Sequence, residues 1–245
     1  YANSGGWPVN AQQYNRNRPD RRTTAWVLIL LKAHAWNGGK SNATALEEAP
    51  NFILAAQRLA PPLTERLKEA AKAHEEWAPR LRRGEIPPPE TRDLLNEHFE
   101  YTRQCADAGG FGVDTLGITS GGATAIGLYT LGLMAQPDAE RQQAAAQALT
   151  RLPLNYEAQR FFEAQFFAVR GLHYYSETWR SGDFLAYMNR LLTLLEQRQA
   201  ADGSLPPGSR GVEEINQMER VYSTAMAVLI VNCNRGLLVS DRQPY

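Results

Sequence analysis

Four histidines, two cysteines and a scatter of acids are the residues through which this chain could do chemistry. His34, His74, His98 and His173 have no partner at metal-ligand spacing. The chain holds no His-x-x-x-His and no Cys-x-x-Cys, so the sequence offers no metal site. His74 and His98 fall on the surface of an expected helical hairpin, and His34 and His173 read as structural histidines of apolar helices. Cys105 and Cys233 are either free buried thiols or one disulfide; the thiol reading leads, because free cysteine usually behaves as a small core residue. The Gly-x-Ser-x-Gly elbow of serine hydrolases is absent, and Gly117–Gly122 (GITSGG) is only a loose glycine-rich match. No Lys-Ser/Thr follows it, so it is not a phosphate-binding loop. Two acids stand beside glycine-rich turns. Asp202, next to Gly203, reads as a turn residue. Asp114 follows the Gly109–Gly122 loop and is the one candidate catalytic acid, with a solvated turn or cap as its simpler role. No pair of carboxylates suggests glycoside hydrolysis.

The aromatic residues are the second resource. Tyr156, Phe161, Phe162, Phe166, Phe167, Tyr174, Tyr175 and Trp179 crowd one stretch. Aromatic faces stabilise cations, as a cavity for carbocations or isoprenoids requires. The same residues at helical spacing also simply fill a core. On the first reading the ligand-binding candidates are Trp26, Tyr129, Phe166, Phe167, Tyr174 and Tyr222; on the second they are packing residues. Arg16–Arg22 (RNRPDRR) is basic but short and reads as a solvated loop.

The elements that must position these groups are helices. Apolar residues recur at helical spacing over 23–36, 43–59, 63–83, 90–105, 123–135, 139–152, 156–175, 184–200 and 222–238. Asp183 is expected to cap the helix beginning at Phe184. Pro61-Pro62 is expected to end the second helix. Nothing alternates with period two for long enough to make a strand. The chain has 245 residues, 43% of them apolar, and equal numbers of basic and acidic residues, 26 each. That is enough for one sizeable core. Zero net charge argues against a general nucleic-acid binder. No apolar run is long enough to cross a membrane; Lys32 and Asn232 interrupt the two best. The chain opens on Tyr1 rather than Met, as a processed product, a trimmed chain or part of a longer one does; the sequence leaves the location open, and a periplasmic or extracytoplasmic one after removal of a signal peptide is one expectation.

A repeat organises the helices. Ser4-Gly5-Gly6-Trp7, Ala108-Gly109-Gly110-Phe111 and Ala201-Asp202-Gly203-Ser204-Leu205 each place glycine just before a large apolar residue. Each is followed by a helix start of one type: Thr24-Ala25-Trp26, Thr124-Ala125-Ile126 and Thr224-Ala225-Met226. Helices apolar all round alternate with amphipathic ones, which suits an inner layer covered by an outer layer. Gln199–Leu205 (QAADGSL), with Val221–Val231 (VYSTAMAVLIV) after it, resembles the repeat of the prenyltransferase/squalene-cyclase superfamily. There, Gln is followed after three residues by Gly and after one more by Trp; here Leu205 takes the Trp place. Ser4–Trp7 and Gly109–Phe111 resemble degenerate copies without the Gln, and Gly109–Met134 is similar to inner-helix segments of bacterial members.

The resemblance implies an all-α fold, an α/α toroid over residues 1–245, with Pro62–Arg103 as an inserted helical hairpin. The Asp-any-Asp-Asp acid motif of the cyclases is missing, as are the zinc set of the protein prenyltransferases and the Gly-Cys-Gly-Glu-Gln thioester run. The expectation is therefore a non-catalytic interaction or assembly module, without cofactor, working with other protein subunits. The alternative is an isoprenoid-binding protein, or a cyclase- or prenyltransferase-like enzyme with an atypical acid.

Overall fold

A computed structural model describes residues 6–7, 20–40, 43–59, 61–106, 108–112, 119–134, 138–158, 160–207 and 217–233. Among these the structure is all-helical: α1 (Arg21–Trp36), α2 (Ala43–Leu54), α3 (Glu65–Arg82), α4 (Pro89–Ala106), α5 (Gly121–Gly132), α6 (Ala139–Arg151), α7 (Phe161–Trp179), α8 (Asp183–Arg198) and α9 (Gln217–Val231). The only extended pairings among the described residues are isolated bridges, Gln57 with Phe111 and Gly112 with Thr119. The chain divides into two compact units, Arg58–Ala108 and the remainder.

In the larger unit, α1, α5, α7 and α9 are successive neighbours. The amphipathic helices lie against them: α2 on α1 and α5, α6 on α5 and α7, α8 on α7 and α6. The sequence explains the division. From Thr124 to Leu131 every residue of α5 is buried, and Phe161 to Tyr175 of α7 is buried almost throughout. A helix with no polar face must be enclosed on all sides. By contrast α6 buries Ala145, Ala146 and Leu149 and leaves its Glu and Arg outside. Among the described helices α5 and α7 share the most extensive contact, and Gly171 lets their backbones approach. A Cβ there would stand 2.8 Å from the backbone nitrogen of Tyr129.

The repeated turns share one construction. The turn residues Trp7, Phe111 and Leu205 each donate a backbone N–H to a threonine hydroxyl of the next helix, in its first turn for α1 and α5 and about two turns in for α9. The acceptors are Thr24, Thr124 and Thr224, at 2.9, 3.0 and 3.1 Å. Two of the turns add a second bond. Gln199 donates its side-chain amide to the carbonyl of Gly203 at 2.9 Å, and Gln57 does the same to Gly109 at 3.3 Å. Both glycines adopt left-handed backbone, with φ +82° and +84°, which glycine alone reaches at no steric cost. The turn at Gly109 therefore has its glutamine after all. Gln57 lies 52 residues upstream, because the smaller unit is inserted between the two halves of the motif.

Several boundaries differ from expectation, among them the start of α9, at Gln217 rather than Tyr222. The second helix stops at Leu54 rather than Leu59, before the prolines: the Ala56 carbonyl accepts from Gly112, and Gln57 turns its side chain to Gly109 and to the Arg141 carbonyl. The aromatic helix starts at Phe161, after a turn containing Tyr156. Asp183 is the first helical residue rather than the cap; the hydroxyls of Ser181 and Ser176 accept from the backbone N–H groups of Asp183 and Phe184 instead. Asp202 is a turn residue, accepting from the backbone and hydroxyl of Ser204. Both cysteines are free. Cys233 is buried, which pushes its thiol up to about 11, whereas Cys105 is only partly covered.

The smaller unit is α3 packed on α4. Thr64 caps α3, Ala70 and Leu95 are buried between the helices, and Arg66 pairs with Glu97 at 3.0 Å. Half-buried at their contact, His74 and His98 stack with ring centroids 4.4 Å apart, and Phe99 meets His74 edge-on. Burial, and then the neighbouring imidazole of His74, lower the His98 pKa.

Thr124→Val removes the acceptor of the buried Phe111 N–H at constant shape. It should cost about 1–3 kcal/mol of stability, the usual penalty for an unsatisfied buried donor, read from urea denaturation. The hairpin should also respond to pH. A histidine whose folded pKa is depressed binds protons more readily when unfolded, so it contributes stability above about pH 6.5 that is lost as the pH falls below it. The protection of α3 and α4 amides, measured relative to their intrinsic exchange rates at each pH, should fall between pH 7.5 and 5, and the fall should shrink in His98→Phe.

Candidate functional site

Five of the six aromatic candidates come together in one run of rings. Trp26 stacks on Phe166 at 5.5 Å and meets Phe167 at 5.1 Å; Phe167 touches Tyr129 at 5.8 Å, and Tyr129 stacks on Tyr174 at 5.9 Å. The ring faces are occupied by one another. Phe166, Phe167, Tyr129 and Tyr174 are all buried, and Trp26 partly so. Phe167 also lines a cavity at the edge of the run. The sixth, Tyr222, lies on α9 and is about half exposed. Asp114 lies outside the described residues.

A cavity of about 250 Å³ lies above this run, at the N-terminal ends of α1, α5 and α7. Its apolar wall is Ala123, Ile126, Ala164 and Phe167; its polar wall includes Asp20, Arg21, Arg22, Ser120, Arg160 and Glu163. The order of this wall follows from the caps. Asp20 caps α1 by accepting from the backbone and hydroxyl of Thr23, and Ser120 caps α5 by accepting from Ala123. These caps set Arg21 and Arg22 in the first turn of α1, so this end of the basic stretch is helical and partly buried rather than a solvated loop. Residues 16–19 lie outside the described residues.

Glu163 is the organising group of the site. It is buried in the first turn of α7, and its two oxygens take different donors. The indole N–H of Trp26 binds one at 2.7 Å, and the Arg22 guanidinium binds the other at 3.2 Å. The carboxylate therefore ties α1 to α7. Tyr222 sits within the same electrostatic field: burial raises its pKa, the Glu163 carboxylate raises it further, and Arg22 and Arg160 oppose both. Nothing in one dimension marks Glu163, which stands between Phe162 and Ala164 on an aromatic helix. A charged residue on an otherwise apolar face was the available signal.

The remaining candidate surface is α9. Met218, Val221, Tyr222, Ala225, Val228 and Leu229 share one side of the helix, and all are exposed. The opposite side, with Ser223, Met226, Ala227 and Ile230, is buried. A groove of about 240 Å³ runs beside this face, between Leu192 and Leu195 of α8 and Val228 and Val231 of α9. No metal cluster occurs among the described residues, and no described helix is long and apolar enough to cross a membrane. His34 is exposed; His173 is half-buried and faces Glu177 at 3.4 Å.

Removing the Glu163 carboxylate should be felt at two helices. Glu163→Ala leaves the Trp26 N–H and Arg22 without their acceptor and should cost about 1–3 kcal/mol, with Trp fluorescence reporting the change at α1. Glu163→Gln keeps an oxygen for Trp26 and should lose less. No family model, no curated protein and no solved structure matches this chain.

Proposed function

We propose that this chain is a non-catalytic module of the α/α-toroid type that works by binding another polypeptide within a larger complex. The toroid reading draws support from the neighbour order α1, α5, α7, α9 with α2, α6 and α8 set against it, and from the repeated turn bonds to Thr24, Thr124 and Thr224. These fit the resemblance to the prenyltransferase/squalene-cyclase repeat carried by Gln199, Gly203 and Leu205.

One observation carries the binding function: the exposed apolar side of α9. Each of the other neighbours in the row, α1, α5 and α7, has an amphipathic helix laid against it. The α9 face presents Met218, Val221, Tyr222, Ala225, Val228 and Leu229 at spacings of three and four residues, the pattern that seats a helix. A contiguous exposed apolar surface of this kind is a mark of an interaction site. The occupant that fits is an amphipathic α-helix of a partner protein, repeating the way α2, α6 and α8 cover their own neighbours.

The isoprenoid alternative draws less support. A polyprenyl chain needs a long apolar cavity, and small-molecule pockets run to roughly 300–1,000 Å³. The aromatic candidates are packed on one another, and the cavity beside them measures about 250 Å³ behind a charged wall.

A photo-reactive residue at Val228 in the full chain, with the complex isolated from its native source, tests the proposal. A single stoichiometric protein should cross-link through the apolar side of one helix. Val221→Asp combined with Val228→Asp should weaken that association at least tenfold without lowering the melting temperature. A monomer carrying a bound polyprenyl lipid, or an association indifferent to the double variant, overturns it.

A further inference from the structure

The cavity between α1, α5 and α7 has a charge pattern that the binding of a partner helix at α9 does not use. Among the described residues its wall carries three guanidinium groups, Arg21, Arg22 and Arg160, against two carboxylates, Asp20 and Glu163. Four of these five charges are engaged within the protein. Glu163 has one oxygen on Trp26 and the other on Arg22. Asp20 accepts from the Thr23 backbone and hydroxyl. Arg21 donates to the Gly112 carbonyl at 3.4 Å and lies over the Phe52 ring at 5.5 Å. Arg160 is different: its carbonyl accepts from the Ala164 N–H at 3.1 Å, but its guanidinium is exposed at the cavity and makes no hydrogen bond or ion pair with any described residue.

Arg160 is also held in an unfavourable backbone conformation. Its φ is +65°, in the left-handed region that costs a side-chain-bearing residue free energy and that glycine adopts freely. A glycine at this position would start α7 with less strain. The arginine instead brings a cation to the cavity.

We propose that this cavity binds a small amphiphilic monocarboxylate, an organic acid with one negative charge and a compact apolar body. Among the described residues the net charge of the wall is a single positive, which matches one carboxylate better than a phosphate dianion. Arg160 supplies the fork of donors that carboxylates take. Ile126, Ala123, Ala164 and Phe167 supply the contact for the apolar body. The volume, about 250 Å³, equals roughly eight water volumes, enough for one substituted ring or a short branched chain.

Titration of the full chain with benzoate, benzyl alcohol and inorganic phosphate, followed by calorimetry and amide chemical shifts, tests this. Benzoate should bind saturably, with shifts concentrated at the starts of α1, α5 and α7. Benzyl alcohol, of the same shape without the charge, and phosphate, charged without the apolar body, should each bind at least tenfold more weakly. Arg160→Gly should abolish at least nine-tenths of the benzoate affinity while keeping or raising the melting temperature. Arg180→Gly relieves the other left-handed arginine, at φ +52° beyond the far end of α7, and should leave benzoate binding unchanged. The proposal falls if benzoate fails to bind, if it binds no better than either control probe, or if Arg160→Gly binds as the parent does.

Discussion

The bond from a turn residue to a threonine hydroxyl is the constraint that gives the larger unit its order. A helix that is apolar all round, such as α5, can be buried in many orientations at similar hydrophobic gain, because burial has no direction. A hydrogen bond has direction. When Phe111 donates to Thr124, the turn, its large apolar residue and the rotation of α5 are set together. Phe111 is fully buried, so its N–H has no water to fall back on. The same bond at Thr24 and Thr224 sets α1 and α9. In α7 the corresponding place in the first turn holds Ala164, and orientation comes from another source, the Glu163 carboxylate bound by Trp26 and Arg22. Three helices are aimed by a hydroxyl and the fourth by an ion pair.

Close approach then decides where space remains. Gly171 lets α7 come against the backbone of Tyr129, and Gly127 admits the Phe111 ring, which a Cβ would meet at 2.4 Å. With the backbones this near, the large rings of α7 pack on each other and on Trp26 and Tyr129 rather than around a void. The cavity that survives lies at the helix starts, where the caps Asp20 and Ser120 hold the chain in extended backbone and where charged residues reach solvent. Its polar character follows from this position.

The sequence made much of this legible, and the misses have physical causes. Thr24, Thr124 and Thr224 stood out because the same dipeptide recurs behind a glycine turn, and the bond they make is local enough to leave a fixed spacing. Gln199 and Gly203 stood out for the same reason. Gln57 did not, because an inserted unit separates it from Gly109 and spacing no longer reports contact. Arg22 looked like part of a solvated basic loop because its partner, Glu163, lies 141 residues further on. The end of α2 was misplaced because the prolines at 61 and 62 are a strong local stop, whereas the stop that acts first is tertiary, the bond of Ala56 to Gly112. Local chemistry was readable and long-range partners were not.

The place of the insertion follows from the same turn. Gln57 and Phe111 form a bridge, and the Gln57 side chain reaches Gly109 and Arg141. The two ends of the inserted segment are therefore already held together by bonds that belong to the larger unit. Closing a long segment between fixed ends adds little entropy cost, since that cost grows only as the logarithm of length. In the uninterrupted turn, Gln199 and Gly203 make the same contact across three residues. A motif whose two halves meet through a side chain rather than through continuous backbone can thus be opened between them without losing its bond. That is why α3 and α4 form a compact unit of their own while the turn they interrupt still seats Phe111 on α5.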